Sequence, residues 1–110
     1  MRILLDECLP KDLARDLADH FVQTVPQAGW ASISNGRLLA LITASAKFDV
    51  FITLDNNLPH QNKISGLPFS IVVLRAKSNR LEHVLPFAPD ILSRLNACKP
   101  GHVYVIASPV

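Results

Sequence analysis

Residues 50–55 of this chain read VFITLD, and residues 2–7 read RILLDE. Each stretch is a short apolar run that passes directly into acidic residues. Short, continuous apolar runs rich in branched side chains are typical of strands that are buried on both faces of a sheet. We therefore predict two buried strands whose carboxyl ends both carry carboxylates.

The rest of the chain alternates between strands of this kind and helical spacing. Strands are predicted at residues 21–25, 70–74 and 102–107, and helices around residues 13–18, 38–46 and 81–95. Pro86 and Pro89 must kink the last helix or split it in two, because proline lacks the backbone N–H that a helix interior requires. Residues 54–68 are a polar loop with room for one helical turn. The alternation predicts an α/β fold with a central, mostly parallel, five-stranded sheet and helices on both faces.

Length and composition restrict the class of protein. The chain has 110 residues, of which 49% are hydrophobic and 18% charged, so we expect a single domain over residues 1–110. No apolar run approaches the ~20 residues that span a bilayer, and Asp6 and Glu7 come too early for a secretory signal. Cys8 and Cys98 are the only cysteines and lack metal-type spacing, which fits a reducing cytoplasm better than a disulfide scaffold. We therefore expect a cytoplasmic protein with no membrane contact.

The formal net charge is only +2, but the charges are unevenly distributed. Seven of the nine acids lie in residues 1–55, whereas residues 56–81 carry no acid and include Arg75, Lys77 and Arg80. A basic stretch beside an acidic one suits a polyanion that is held by one set of groups and attacked at another. A solvated surface without a binding role is the alternative.

Ligand sites in open parallel sheets lie beyond the carboxyl ends of the strands, so the residues that follow each strand are the candidates. Two carboxylates that converge there repel each other unless a cation lies between them, and hard divalent ions such as Mg²⁺ or Mn²⁺ prefer such oxygen ligands. An ion of this kind can activate water and stabilise charge on a phosphate, while arginines hold the flanking phosphates. The candidates are Asp6 and Glu7 after the first strand, Asn35 at the start of the second helix, Thr53, Asp55, Asn56 and Asn57 around the end of the third strand, and Arg75, Lys77 and Arg80 after the fourth.

Several residues near this edge also have a purely structural interpretation. An acid directly after a strand often only caps the next helix, and this applies to Asp6 and Asp55 taken singly. Cys8 lies near the same edge, but no histidine is placed as its base, which favours a buried structural thiol over a nucleophile. His60 is interpreted as a residue of the polar loop rather than a ligand or proton donor. Trp30 is interpreted as a packing residue rather than one that stacks a base.

Three stretches, taken together, resemble a known family. They are Ile3-Leu4-Leu5-Asp6-Glu7 with a following Leu-Pro, Asn35-Gly36-Arg37-Leu38-Leu39-Ala40, and Val50-Phe51-Ile52-Thr53-Leu54-Asp55. In this order they resemble a short stand-alone PIN-like family that is related to the VapC-type toxin ribonucleases, and the resemblance covers nearly the whole chain. It implies a PIN-like fold and a ribonuclease activity that depends on Mg or Mn, with RNA as the substrate. It also implies the toxin role in a toxin–antitoxin pair, with a small antitoxin protein as partner, and leaves a homodimer open.

The resemblance assigns roles position by position. Asp6 matches the family's acid after the first strand and Asp55 the acid of its Thr-x-Asp motif, so these two are the implied metal ligands, with Thr53 in support. Asn35 falls where relatives usually have an acid, at the start of the second helix. An amide can ligate a metal but brings no charge, so the metal affinity should fall. Glu7 is either the acid that compensates for this departure or a solvated neighbour of Asp6.

The sequence departs from the family at a second place. The acid that many PIN domains carry after the fourth strand is missing, and Arg75 stands near its position.

The expected contacts to the RNA backbone are Arg75, Lys77 and Arg80. Asn56 is expected to support the site as a polar neighbour of Asp55.

Two other functions fit part of the pattern. The acid pair after the first strand, with an aspartate after the third, also resembles a phosphoacceptor receiver domain, in which Asp6 and Glu7 would hold Mg²⁺ and Asp55 would accept a phosphoryl group. Receivers also need a lysine after the last strand and usually a helix beyond it, and residues 108–110 supply neither. The other function, favoured by the amide at Asn35, is that of a non-catalytic PIN-like module that binds RNA or a protein.

Overall fold

The structure, a computed structural model, describes residues 1–107, and its centre is a sheet of five parallel strands. The α/β class, the five-stranded sheet and the helices on both of its faces are confirmed, and the sheet is entirely parallel. The order of the strands across the sheet is β2-β1-β3-β4-β5, so β2 and β5 form the edges. The strands are β1 (Arg2–Leu5), β2 (Phe21–Thr24), β3 (Val50–Thr53), β4 (Ser70–Leu74) and β5 (Val103–Ile106).

Helices connect the strands, and most of them are short. The long predicted helix after β4 is split at its prolines, because Pro86 lies in a 3-10 turn and Pro89 in the first turn of the next helix, where a missing N–H costs nothing. The polar loop after β3 contains one helical turn, as predicted. The α-helices are α1 (Asn35–Ser45), α2 (Leu58–Gln61), α3 (Leu81–Val84) and α4 (Ala88–Leu95), and the 3-10 helices are Lys11–Leu17 and Leu85–Phe87.

The two faces of the sheet bury two separate apolar clusters, because successive side chains of a strand point to opposite faces. In β1, Ile3 and Leu5 belong to one cluster and Leu4 to the other. The first cluster lies under α3, α4 and both 3-10 helices and is called the α4 face. The second lies under α1 and α2 and is called the α1 face. Burying each large apolar side chain contributes about 1.5–3 kcal/mol, so the two clusters supply most of the stability of the fold.

The chain reverses its direction of winding between β1 and β3, which are neighbours in the sheet. Doubly wound sheets with this strand order bind ligands at that switch point, beyond the carboxyl ends of the strands. Asp6 follows β1 and Thr53 ends β3, and by alternation both side chains lie on the α1 face with Leu4 and Phe51. The topology therefore places the predicted site at the switch point.

The opposite, amino-terminal end of the sheet is fastened by Arg2 and Asp49. The backbone N–H of Arg2 donates to Asp49 Oδ2 at 2.8 Å, and its guanidinium lies 3.3 Å from Asp49 Oδ1 and donates to the carbonyl of Ala46 at 3.2 Å. These bonds join the start of β1 to the turn that leads into β3. Burial works to raise the pKa of Asp49, but the hydrogen bonds and charge of Arg2 outweigh it and lower that pKa overall.

No helix within residues 1–107 is both long enough and apolar enough to cross a membrane. Residues 108–110, on which the comparison with receiver domains partly rests, lie outside the described residues.

Candidate active site at the carboxyl edge

Asp6 is the most buried of the acids at the carboxyl edge, with only 8% of its surface exposed. Its Oδ1 accepts a hydrogen bond from the backbone N–H of Glu7 at 2.8 Å. Its Oδ2 accepts a hydrogen bond from the Thr53 hydroxyl at 2.7 Å. Each carboxylate oxygen can accept a second bond, so both oxygens of Asp6 retain capacity for a ligand.

Thr53 links the two strand ends. Its hydroxyl is fully buried, donates to Asp6 across the β1–β3 junction, and accepts the backbone N–H of Asp55 at 3.0 Å. The side chain of Asp55 then folds back on its own loop, where Oδ1 accepts the backbone N–H of Asn57 at 2.9 Å. This is the Asx-turn that aspartate forms with the residue two positions on. One hydroxyl therefore fixes both acidic residues relative to each other.

Asn35 completes this network from the first residue of α1. Its side-chain Nδ2 donates to Asp55 Oδ2 at 2.7 Å. Ser34 occupies the N-cap position of the helix but makes no capping bond with its side chain. The structure thus brings four predicted site residues together, in the order Asp6, Thr53, Asp55, Asn35.

No base among the described residues balances the charge of this network. The ion pairs among residues 1–107 join Arg2 to Asp49, Arg15 to Asp12, and Arg80 to Glu82, and none involves Asp6 or Asp55. The donors to these two carboxylates within residues 1–107 are neutral groups, among them a hydroxyl, an amide and backbone N–H groups. A buried carboxylate without a positive partner costs free energy, and a bound cation would remove that cost.

The donor set fits a hard divalent cation of the Mg²⁺ type. The described residues contain no group of three or more His, Cys, Asp or Glu side chains that could hold a metal ion. Mg²⁺, however, is usually bound through one or two carboxylates, several waters and the phosphates of a substrate, rather than by a complete protein cage. Asp6 and Asp55 could supply those two carboxylates, and Asn35, whose amide nitrogen donates to Asp55, carries a further oxygen on the same network. The residues present therefore suit an ion shared with a phosphate.

The side chains of Glu7 and Asn56 are exposed and make different contacts from those of the four residues in the central network. Glu7 is exposed, and its Oε1 accepts the backbone N–H of Ser32 at 3.0 Å, in the loop that leads to α1. Ser32 has a left-handed backbone with φ of 62°, so this bond supports a strained turn. Asn56 is exposed beside Asp55. The carboxylate of Glu7 is thus engaged with a loop, and its role as a compensating acid stays a prediction.

Cys8 lies beside the network, as its order in the chain implies. Burial, together with the negative charge of Asp6, raises the pKa of the Cys8 thiol to about 11. The thiol therefore keeps its proton at neutral pH, whereas a nucleophilic cysteine requires a lowered pKa. This favours the structural interpretation of Cys8 over the nucleophilic one.

The predicted RNA-binding residues lie exposed after β4, but they are not equivalent. Arg80 forms an ion pair with Glu82, with 3.1 Å between Nε and Oε1. Arg75 and Lys77 have no acidic partner among residues 1–107. A phosphate would not have to displace an acid from either of these two side chains, whereas at Arg80 it would compete with Glu82.

Trp30 packs against the core, whereas His60 lies at the surface. The ring of Trp30 meets that of Phe48 edge-on, with centroids 6.1 Å apart and planes at 73°, so it packs against the α1-face cluster. His60 lies exposed in the last turn of α2.

Two contacts at the carboxyl edge were not predicted from the sequence. The contact of Glu7 with Ser32 has no local signal, whereas the Asp55–Asn57 turn could have been indicated by the Asp-x-Asn spacing.

Comparison of the chain with protein-family models, with curated proteins and with solved structures finds no match. The features of the molecule that bear on its function are the network of Asp6, Thr53, Asp55 and Asn35 and the charges around it.

Proposed function

We propose that the protein is a metal-dependent ribonuclease of PIN-like type that cleaves single-stranded RNA at the carboxyl edge of its sheet. The observation that carries this proposal is the environment of Asp6. This carboxylate is 8% exposed, lies at the switch point of the sheet, and receives hydrogen bonds from neutral donors, with no base among residues 1–107 paired to it. A cation is the partner that such a site lacks, and a phosphate is the ligand that completes the coordination of Mg²⁺.

The residues of the network would divide the work as follows. Asp6 and Asp55 hold Mg²⁺ or Mn²⁺, and Thr53 keeps the two acids in register through its hydroxyl. The chemistry that a divalent ion would supply there is a coordinated water of lowered pKa and stabilisation of negative charge on the phosphate. The N-terminus of α1 adds positive dipole at the same edge, which favours an anion. Arg75 and Lys77, both exposed after β4, hold the neighbouring phosphates of the strand.

The wider biological role rests first on the resemblance. The PIN-like stretches around Asp6, Asn35 and Asp55 support the toxin role in a toxin–antitoxin pair, with a small antitoxin protein as partner. Charge supports the same partner class, because an acidic segment of an inhibitor can neutralise Arg75 and Lys77 and so compete with RNA.

Cleavage of a labelled single-stranded RNA tests the activity. We expect cleavage with Mg²⁺ or Mn²⁺ and none with EDTA. The variants Asp6→Asn and Asp55→Asn should each lower the rate by orders of magnitude at unchanged folding. Asp49→Asn is the matched control, because this acid lies at the other end of the sheet, and its rate should equal that of the unmodified chain. Equal cleavage by all three variants would trace the activity to a contaminating nuclease.

A receiver domain is the second candidate, and one observation favours it. The strand order β2-β1-β3-β4-β5 is also that of receiver domains. Against it, the position after β4 is the exposed Arg75, and Asp55 Oδ2 is engaged by the amide of Asn35 at 2.7 Å. Incubation with acetyl phosphate and Mg²⁺ decides between them, because a receiver gains a phosphoryl group on Asp55, and the ribonuclease account predicts no gain in mass.

A non-catalytic RNA-binding module is the third candidate, favoured by the same Asn35–Asp55 bond. The amide occupies one acceptor site of Asp55 and brings no charge of its own. If this function is correct, the protein binds RNA with equal affinity in EDTA and in Mn²⁺ and leaves it intact in both.

A further inference from the structure

The first two residues of α1 are Asn35 and Gly36, and this dipeptide is chemically labile. The chain has six asparagines, at positions 35, 56, 57, 62, 79 and 96, and only Asn35 precedes a glycine. We propose that Asn35 is a site of spontaneous deamidation, in which the backbone nitrogen of Gly36 attacks the side chain and the amide that contacts Asp55 becomes a carboxylate. The chemistry is independent of the proposed ribonuclease activity, and only its consequence for metal binding rests on that function.

The reaction balances with water as the only co-reactant. The backbone nitrogen of Gly36 forms a bond to Cγ of Asn35 and loses its proton, and the Nδ2 group leaves as ammonia. The resulting cyclic imide is opened by water at either of its two carbonyls. Opening at one gives aspartate with a normal backbone, and opening at the other gives isoaspartate, in which the backbone runs through the former side chain.

The position of Gly36 in the helix exposes the attacking nitrogen. The first helical hydrogen bond of α1 runs from Leu38 N to Ser34 O at 2.8 Å, so the N–H of Gly36 belongs to the first turn, whose N–H groups have no partner within the helix. Gly36 is exposed and carries no side chain that would hinder ring closure. These features remove two of the usual obstacles to attack by a backbone nitrogen.

Two features of the structure oppose the reaction and set its rate, namely the helical backbone and the hydrogen bond of the Asn35 amide. The helical backbone holds the Gly36 nitrogen away from Cγ, and the Asn35 amide is held by Asp55 Oδ2 at 2.7 Å. Both features belong to the end of a helix, and helix ends open locally at little cost in free energy. Ser34 does not cap this end with its side chain, so no side-chain cap adds to the Asn35–Asp55 bond in resisting that opening.

Conversion would change the electrostatics of the site. The donor that now faces Asp55 would become a second acceptor, and two carboxylates at hydrogen-bond distance cannot both remain charged without a shared proton or a cation between them. Aspartate at this position would add the third acid to the set of Asp6 and Asp55. Deamidation would then produce, after synthesis, the acidic site that the encoded amide leaves incomplete.

Gly36→Ala is the matched control, because the structure predicts that it folds. Gly36 has no positive φ, and a Cβ there would approach only Asn62 Oδ1, at an ordinary contact distance of 3.4 Å. Alanine also favours the helical backbone more than glycine does. The substitution keeps the Asn35 amide but hinders attack by the following nitrogen and strengthens the helix start.

The experiment is timed incubation of the full native chain at mildly alkaline pH, followed by peptide mapping and mass analysis of every asparagine. We expect the Asn35 amide to convert to an acid, as detected by the change in mass, at least several-fold faster than any other asparagine. We expect Gly36→Ala to slow this conversion several-fold. The proposal is overturned if Asn35 stays an amide in the native chain while it converts in denaturant, or if Gly36→Ala converts at the same rate. Aspartate at position 35 with unchanged Mn²⁺ binding would leave the modification standing and show that position 35 does not face the ion.

Discussion

The two ends of the sheet hold their acids in opposite ways. At the amino-terminal end, Asp49 is bonded to Arg2 through the backbone and the guanidinium, so its charge is matched by a neighbouring base. At the carboxyl-terminal end, Asp6 and Asp55 receive hydrogen bonds from a hydroxyl, an amide and backbone N–H groups, and neither forms an ion pair with a base in the described part of the chain. Both arrangements satisfy the oxygens, but only the first neutralises the charge.

This difference separates an acid that fastens the fold from acids that are available to a ligand. The Arg2–Asp49 pair joins β1 to the turn before β3 and needs nothing further. The carboxyl-edge acids are held in place by Thr53 without being neutralised, which is the arrangement that a site for a cation requires. Substitutions at the two ends should therefore differ in their effect on stability and in how that effect responds to a divalent ion.

The largest expected effect on stability comes from Thr53→Val. Valine keeps the shape but removes the hydroxyl that serves both Asp6 and the backbone N–H of Asp55, at a position that is fully buried. Leaving such groups without a partner costs about 1–3 kcal/mol of unfolding free energy. Urea unfolding measures the cost. Thr53→Ser retains the hydroxyl and should lose clearly less, and equal losses in the two variants would show that the hydroxyl does not join the strand ends.

Asn35→Asp should lower the stability of the metal-free protein and raise its affinity for Mn²⁺. The added carboxylate lies opposite Asp55, so the metal-free protein should melt at a lower temperature than the unmodified chain. With Mn²⁺ the same charge becomes favourable, and we expect binding to tighten about tenfold, or about 1.4 kcal/mol. Melting with and without Mn²⁺ measures both effects. If Mn²⁺ affinity does not change, position 35 does not face the ion, and the non-catalytic function gains support.

Asp49→Asn should have a smaller effect, which depends on pH rather than on metal. Exposed ion pairs contribute about 0–1 kcal/mol, and both side chains of this pair are partly exposed. Because Arg2 lowers the pKa of Asp49 in the folded state, the stabilisation is present above the unfolded pKa and is lost as pH falls through the folded pKa. Stability curves of the two proteins should therefore converge in acid. A constant difference at every pH would mean that charge plays no part in the Arg2–Asp49 contact.

The smallest expected effects are those of the basic residues after β4. Arg75→Ala and Lys77→Ala should each reduce the slope of log affinity for RNA against log salt by roughly 1, because each loses one phosphate contact. Arg80→Ala should change the slope less, since Glu82 already pairs with Arg80 at 3.1 Å. Binding titrations at several salt concentrations measure the slopes. Three equal slopes that match the unmodified chain would place the RNA path elsewhere.

Most of the fold could be predicted from local patterns. The five strands follow apolar runs that are strictly local, and their observed ends agree with the predicted ones within a residue or two. Pro86 and Pro89 locate the break in the last helix for a reason that is equally local. The order of the strands was not predictable, because it depends on pairings such as that of Leu5 with Ile52, which are far apart in the sequence.

The grouping of Asp6, Thr53, Asp55 and Asn35 at one edge could be predicted from the sequence, but the hydrogen bonds among them could not. Parallel strands bring their carboxyl ends to one edge, which is why Asp6 and Asp55 could be grouped from sequence. The direction of the Asn35 amide, the double role of the Thr53 hydroxyl and the turn of Glu7 toward Ser32 depend on side-chain geometry that no spacing contains. The ion pair of Arg80 with its near neighbour Glu82 is local, but charge spacing alone does not specify it.

Titration calorimetry with Mn²⁺ tests the central claim most directly, because it measures the cation at the carboxyl edge without requiring any activity. The unmodified chain and Asp49→Asn should bind one ion with the same affinity, since Asp49 is already neutralised by Arg2. Asp6→Asn and Asp55→Asn should each lose that binding. Mn²⁺ binding that survives in both of these variants, or that is lost only in Asp49→Asn, would contradict the assignment of the metal site to the carboxyl edge.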